Sequence, residues 1–247
     1  MRVAALYDIH GNLPALEAVL DEVRLAEVDR IVVGGDVMPG PMPRETLQRL
    51  LRLDVPVQFI EGNGEAAVLA ERAGRHSGVP ERFRDVLQWG ARQLDPEDEA
   101  LIASWPKTLT LSIDDLAAVL FCHATPRSNT EVFTRLTSED RLRPVFDAVG
   151  ARIVVCGHTH MQFDRTVGRV RVVNAGSVGM PFGEPGAYWL LLDSDVRLRR
   201  TQYDLEAAAA RICATGYPRA EEFAEQNVRH PPSEQSMLDA YAGIELK

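Results

Sequence analysis

The chain has 247 residues, 45% hydrophobic and 26% charged, the balance of a soluble globular protein with room for one large α/β domain or two small ones. Its formal net charge of −9 argues against an extended nucleic-acid surface or an acidic membrane as partner, because a polyanion is repelled at long range. Three cysteines (Cys122, Cys156, Cys213) make neither a disulfide framework nor a CxxC motif, no apolar run is long enough to span a bilayer, and no signal-peptide pattern precedes the first strand, so a reducing cytoplasm is the expected compartment.

Residues 2–7 read as a buried strand that ends in Asp8-Ile9-His10-Gly11-Asn12. A helix follows over roughly 13–27, with Leu13, Leu16, Val19, Leu20 and Val23 in helical spacing, Asn12 placed as its N-cap and Pro14 tolerated in its first turn. A second strand over 30–34 ends in Gly35-Asp36. After a proline-rich loop comes a helix over 44–53, then a third strand over 55–60 ending in Glu61-Gly62-Asn63-Gly64-Glu65. Repeated strand, glycine turn and helix is the pattern of a mostly parallel sheet with helical crossovers.

The region 65–105 is helical in pattern, broken near 74–80 and at Pro96, and reads as a lid or cap. A hairpin over 107–113 and 116–122 leads to His123. A helix over 138–149 precedes the strand 152–156, which ends in Gly157-His158-Thr159-His160. Short strands near 162–167, 170–174, 187–193 and 196–202 suggest a second sheet, with the polar loop Asn174-Ala175-Gly176-Ser177-Val178-Gly179 between two of them. From Asp204 the composition turns alanine-rich and helical. Residues 1–203 are thus expected to form the functional domain. Residues 204–247 are expected as a helical extension packed on the core or used in a homodimer.

Five separate turns carry residues that can ligate metal: Asp8 with His10, Asp36, Asn63, His123, and His158 with His160. Each follows a predicted strand, usually beside glycine. Ligands in α/β proteins gather at the carboxyl ends of strands, so these side chains can meet. In an extended chain His158 and His160 would point the same way. Two carboxylates, four imidazoles and an amide exceed what one tetrahedral ion takes. They fit two divalent ions ~3.5–4 Å apart with a bridging carboxylate. A donor set of nitrogen and oxygen suits Mn²⁺, Fe²⁺, Co²⁺, Ni²⁺ or Zn²⁺. The competing reading is helix capping and satisfied polar groups at strand ends. Asn63 in particular could serve only the tight turn before Gly64.

The order D-x-H, G-D, G-N, H, G-H-x-H resembles the calcineurin-like metallophosphoesterase superfamily, and Asn174-Ala-Gly-Ser-Val-Gly179 is similar to a loop of its small bacterial and archaeal phosphodiesterase branch. The resemblance implies an α/β fold of four layers, two mixed sheets packed face to face between helices. It implies that Asp8, His10 and His160 hold one metal, that Asn63, His123 and His158 hold the other, and that Asp36 bridges them. It further implies hydrolysis of a small phosphate ester, a diester before a monoester, by in-line attack of a metal-bridging hydroxide, with Asp36, Asn63, His123 and His158 closest to the chemistry.

One departure stands out. The family's usual histidine after Gly-Asn, its proton donor to the leaving oxygen, is replaced by Gly64, while Glu65 keeps the following acid. Esters with good leaving groups would suffer least from that loss. His76 in the lid is a candidate substitute, against its reading as a surface or capping residue. The other functional reading is a catalytically weak metal-binding scaffold that acts through protein contacts. Cys122 and Cys156, each preceding a site residue, are expected to point away from it as small buried hydrophobes. Thr159 is expected to face away from its two neighbours. Ser177 either touches substrate or closes its turn.

Overall fold

The computed structural model describes residues 1–246; Lys247, the last residue of the expected extension, lies outside them. Two five-stranded sheets lie face to face. In the first, β1 (Val3–Leu6) pairs in parallel with β2 (Arg30–Val33), and β2 with β3 (Val57–Phe59). The second contains β4 (Thr108–Ile113), β5 (Ala117–Cys122), β6 (Ile153–Cys156), β7 (Phe163–Val167) and β8 (Val170–Asn174), in the order β4-β5-β6-β8-β7. Strands β5, β6 and β8 are mutually parallel there, flanked by antiparallel edges.

The last two strands correct the sequence reading. β9 (Ala187–Leu192) and β10 (Val196–Thr201) belong to the first sheet, with β9 antiparallel to β1 in the register Val3↔Leu192. The reason lies in β9 itself. Leu190 and Leu192 face the space between the sheets, while Trp189 and Leu191 face the helices. A strand apolar on both faces belongs inside a covered sheet rather than at an exposed edge.

Alternation along the strands divides the core into three. Between the sheets lie Val3, Ala5, Tyr7, Phe121, Val155 and Leu190. Outside the second sheet, Val154, Cys156 and Val172 pack against α6 (Glu139–Phe146) through Leu142 and Phe146. Outside the first, Ala4, Leu6, Ile31 and Val33 pack under α1 (Leu13–Leu25) and α2 (Pro43–Leu51). The result is the expected four layers, helix, sheet, sheet, helix. Asn12 caps α1 as expected, its side chain accepting from the Ala15 N–H.

The 65–105 region resolves into α3 (Asn63–Arg72), α4 (Arg84–Gln93) and α5 (Pro96–Ala103). It shares the first sheet's outer core through Val68, Leu87 and Ile102. The C-terminal helices do the same. α7 (Leu205–Cys213) and α8 (Ala220–Phe223), which continues as a π-helical turn over Ala224–Arg229, bury Ala209, Ile212, Phe223 and Val228 in that cluster. α9 (Glu234–Tyr241) is the last helix among the described residues. No helix among the described residues is long and apolar enough to cross a membrane.

Ile212 is fully buried on the inner face of α7. Ile212→Ala is expected to lower the stability of the whole chain by about 2–5 kcal/mol in equilibrium denaturant unfolding. A change confined to a separate C-terminal transition would show that the tail is not part of this core.

Candidate metal centre

Each site residue lies just beyond a strand or, for Asn63, in the first turn of α3. Five of them adopt a left-handed backbone: Asp8, His10, Asp36, His158 and His160 have φ between 48° and 67°. They are five of eight non-glycine residues with positive φ among the described residues. Asp and His tolerate this region better than most residues, yet it costs roughly 1–2 kcal/mol each. Backbone hydrogen bonds between the turns hold them there. Asp8 N donates to Gly35 O at 3.1 Å, His10 N to Asp36 O at 2.9 Å, and Gly157 N to His123 O at 2.8 Å.

The turns bring the side chains together. His10 Nε2 lies 3.2 Å from His160 Nε2, 3.6 Å from Asp36 Oδ2 and 4.0 Å from Asp8 Oδ1. His123 Nε2 lies 2.9 Å from Asn63 Oδ1, 3.6 Å from Asp36 Oδ1 and 3.9 Å from Asp8 Oδ1. The His158 ring meets the His123 ring edge-on, 5.1 Å between centroids. Three imidazoles are held from behind by backbone carbonyls at Nδ1: His10 by Pro39 at 3.2 Å, His123 by Gly34 at 2.9 Å, and His160 by Met180 at 2.7 Å. A carbonyl accepts only from N–H, so the inward Nε2 of each neutral ring carries a lone pair, the tautomer a metal needs.

The interior is therefore short of positive charge. Two Nε2 lone pairs facing across 3.2 Å need a proton or a cation between them. Asp8 is completely buried, and its Oδ1 accepts no hydrogen bond while three imidazoles face it. An unpaired buried carboxylate oxygen is costly, and a cation removes the cost. Asp8, His10 and His160 form one group whose donor atoms could hold an ion, and Asp8, Asp36 and His123 form another. The donor chemistry fits divalent metal.

Electrostatics agree. Burial alone would raise the Asp8 carboxyl, but His160, His123 and His10 outweigh it and hold it well below the usual carboxylate range. Burial depresses His10, and it takes His158 to about 4, with the neighbouring His123 adding to the effect. For His123 and His160 burial is again the largest influence, yet the facing Asp36 and Asp8 carboxylates reverse its sign and raise both.

The His158–Thr159–His160 turn differs from the extended geometry expected of it. With both histidines left-handed, the rings part: His160 sits against His10, 5.0 Å between centroids, and His158 goes to His123. Thr159 turns inward to the protein, where its Oγ1 accepts from Asn174 Nδ2 at 3.1 Å. The same amide donates to Gly157 O at 2.7 Å, so the polar loop after β8 braces this turn. Gly157 is obligatory for space: a Cβ there would meet Asp8 Oδ2 at 2.4 Å. Ser177 closes its turn, donating to Asp8 O and accepting from Met180 N, both at 2.7 Å. Cys122 and Cys156 are buried in the cluster outside the second sheet, away from the site.

Sequence reasoning missed Glu65 as more than a retained acid. It is fully buried and accepts from Asp36 N and Gly62 N at 2.8 Å and from Met38 N at 3.2 Å, locking two site turns together. Burial, then the nearby Asp36 carboxylate, push its carboxyl upward. An acid at the third position of a helix beginning after Gly62 was the available signal. The carbonyl partners of the histidines left no trace in the sequence. His76 is exposed on the loop after α3, its Nδ1 accepting from Gly78 N at 3.2 Å, and it lines a cavity shared with Asn63 and His158.

Comparison with known proteins gives a consistent picture. Residues 1–196 match the family model of the calcineurin-like phosphoesterase superfamily domain. The chain is 24% identical to the uncharacterized protein MJ0912 of Methanocaldococcus jannaschii, over 87% of this chain and 93% of that one. It shares its fold with the hypothetical protein PH1004 of Pyrococcus horikoshii, with a TM-score of 0.79 at 20% identity over 94% and 99% of the two chains. A metallophosphoesterase from Sphaerobacter thermophilus superposes with a TM-score of 0.71 at 26% identity, over 91% and 97%.

Gly64 is fixed by its surroundings. Its N–H donates to Asp36 Oδ1 at 2.6 Å, and a Cβ there would meet Met38 O at 2.1 Å. Restoring the familiar histidine by Gly64→His is therefore expected to destabilise the protein by about 1–3 kcal/mol without adding a proton donor. Unaltered thermal stability in that variant would show that the Met38 loop yields freely.

Proposed function

The chain belongs to the calcineurin-like phosphoesterase superfamily, and on that premise we propose that it is a dinuclear metal-dependent phosphodiesterase. The observation that carries the dinuclear reading is the arrangement of acceptor atoms around the unpartnered Asp8 Oδ1. His10 Nε2 faces His160 Nε2 on one side, and His123 Nε2 faces Asn63 Oδ1 on the other. Asp36 stands between them, with Oδ2 toward His10 and Oδ1 toward His123. In this reading Asp8, His10 and His160 would hold one ion and Asn63, His123 and His158 the second, with Asp36 shared between them. When bound, divalent ions so paired supply Lewis acidity and lower the pKa of water.

The protein's own part is positioning. Nδ1–carbonyl hydrogen bonds fix the His10, His123 and His160 rings, so the donor atoms need no reorganisation. Two carboxylates against two divalent cations leave the pocket positive, which draws in a phosphate ester. With glycine at position 64, the turn beside Asp36 offers no imidazole to protonate the departing oxygen, so a leaving group that is stable as an anion is favoured.

Purified protein is expected to bind two equivalents of Mn²⁺ or Ni²⁺, to hydrolyse an aryl phosphodiester faster than the matching monoester, and to lose activity and thermal stability on chelation. Two bound ions with no turnover of any ester would favour a metal-binding scaffold. Asp36→Asn and His158→Ala are each expected to lower kcat by more than about 100-fold with an unchanged circular dichroism spectrum. Near wild-type rates in both would break the ligand assignment.

A further inference from the structure

Two cavities open from the candidate metal centre, and Asn63 lines both. The first, on the side of His10 and Asp36, has a volume of ≈ 260 Å³ and lies between the lid and α8. Gly64 is in its floor, and its walls include Ala67, Val86, Leu87, Phe83 and Phe223. Its rim carries Arg219, but that charge is already satisfied. Arg219 is paired with Asp85 at 3.3 Å and Glu222 at 3.4 Å, and its guanidinium stacks 5.1 Å over the Phe83 ring. A second anionic group would find no free cation there. A cavity of roughly 150 Å³ lined by apolar side chains accepts benzene, so this one has room for a substituted aromatic ring.

The second cavity, on the side of His158, is larger, ≈ 630 Å³, and its lining is mixed: Asn129, Thr130, Ser77, Arg75 and Glu61 stand beside Leu69 and Pro80, so it offers more polar groups than the first. Both signs of charge are present, which suits a neutral group rich in hydroxyls. The phosphate position thus has a compact apolar flank and a broader, more polar one. A phosphomonoester could fill only one of them.

Resting on the phosphoesterase reading above, we propose that the substrate is an unsymmetrical phosphodiester, with an aryl arm in the Phe83 cavity and a polar, hydroxyl-bearing arm in the Thr130 cavity. Hydrolysis adds water across the aryl P–O bond. The oxygen of water bonds to phosphorus and its proton passes to solvent, the electron pair of the breaking bond leaves on the aryl oxygen, and the phosphomonoester of the polar arm remains. An aryloxide, with a conjugate acid near the roughly 10 of a phenol, leaves without a proton donor. That matches the glycine at position 64 in the lining of this same cavity.

The test uses the full, Mn²⁺-loaded chain and 4-nitrophenyl diesters whose second arm is either glyceryl or ethyl. The glyceryl ester is expected to show a kcat/KM at least tenfold higher, and Thr130→Val to reduce that ratio at least threefold. Phe83 is 37% exposed, so Phe83→Ser should fold; it is expected to raise KM for both esters at least fivefold, with Phe83→Leu intermediate. Calorimetry supplies a readout without turnover: phenylphosphonate is expected to bind at least tenfold tighter than methylphosphonate, a difference that Phe83→Ser removes. Hydrolysis with no arm preference and no effect of Phe83→Ser overturns this proposal and leaves the phosphodiesterase reading standing. Failure to hydrolyse any ester overturns both.

Discussion

Asp8 ties the molecule together. It follows β1, and it is completely buried where the two sheets meet. Its backbone N–H reaches the turn after β2, at Gly35 O. Its backbone carbonyl accepts from Gly179 N and Ser177 Oγ in the loop after β8. Its Oδ2 accepts from His158 N in the turn after β6. One residue thus fixes the relative position of turns from both sheets, and its remaining oxygen is left to the imidazoles. Removing a partner from a buried carboxylate costs far more than a surface ion pair contributes, so this hub determines how the centre closes. Tyr7 reinforces it, its phenol donating across the sheets to Val155 O at 3.1 Å.

Strand tips are poor places to aim side chains inward, because an extended chain sends neighbours to opposite faces. This protein solves the problem by leaving the extended region as soon as each strand ends. Five left-handed residues bend the turns so that carboxylates and imidazoles face a common point. The conformational cost of that bending is offset by hydrogen bonds among the turns themselves, and by the braces from Glu65 and Asn174. His158 and His160, adjacent in sequence but for Thr159, serve different halves of the centre for the same reason.

The 65–105 helices and the C-terminal helices look peripheral by composition, yet they build the wall of the cavity beside the candidate metal centre. Leu87 from α4 and Phe223 from α8 face one cavity, and both belong to the core under the first sheet. The Met38 carbonyl fills the space that a side chain at position 64 would need. The loss of an imidazole there and the presence of an apolar chamber are therefore parts of one arrangement rather than separate departures.

Most of the fold and the identity of the candidate ligands were legible in the sequence, because they depend on local pattern. Apolar strands ending in glycine turns, and Asp, His or Asn just past those turns, are encoded residue by residue. The four layers followed from that pattern together with the family resemblance, which also singled out the seven candidate side chains. What the sequence could not show depends on contacts between distant segments. β9 returns to β1 across more than half the chain because both its faces need cover. The carbonyls of Gly34, Pro39 and Met180 hold the imidazoles through backbone atoms that every residue has, so no side-chain code reveals them. Gly64 reads as a missing histidine in one dimension; only in three does the Met38 carbonyl show that no side chain fits there, because steric exclusion is a property of packed space and not of a motif.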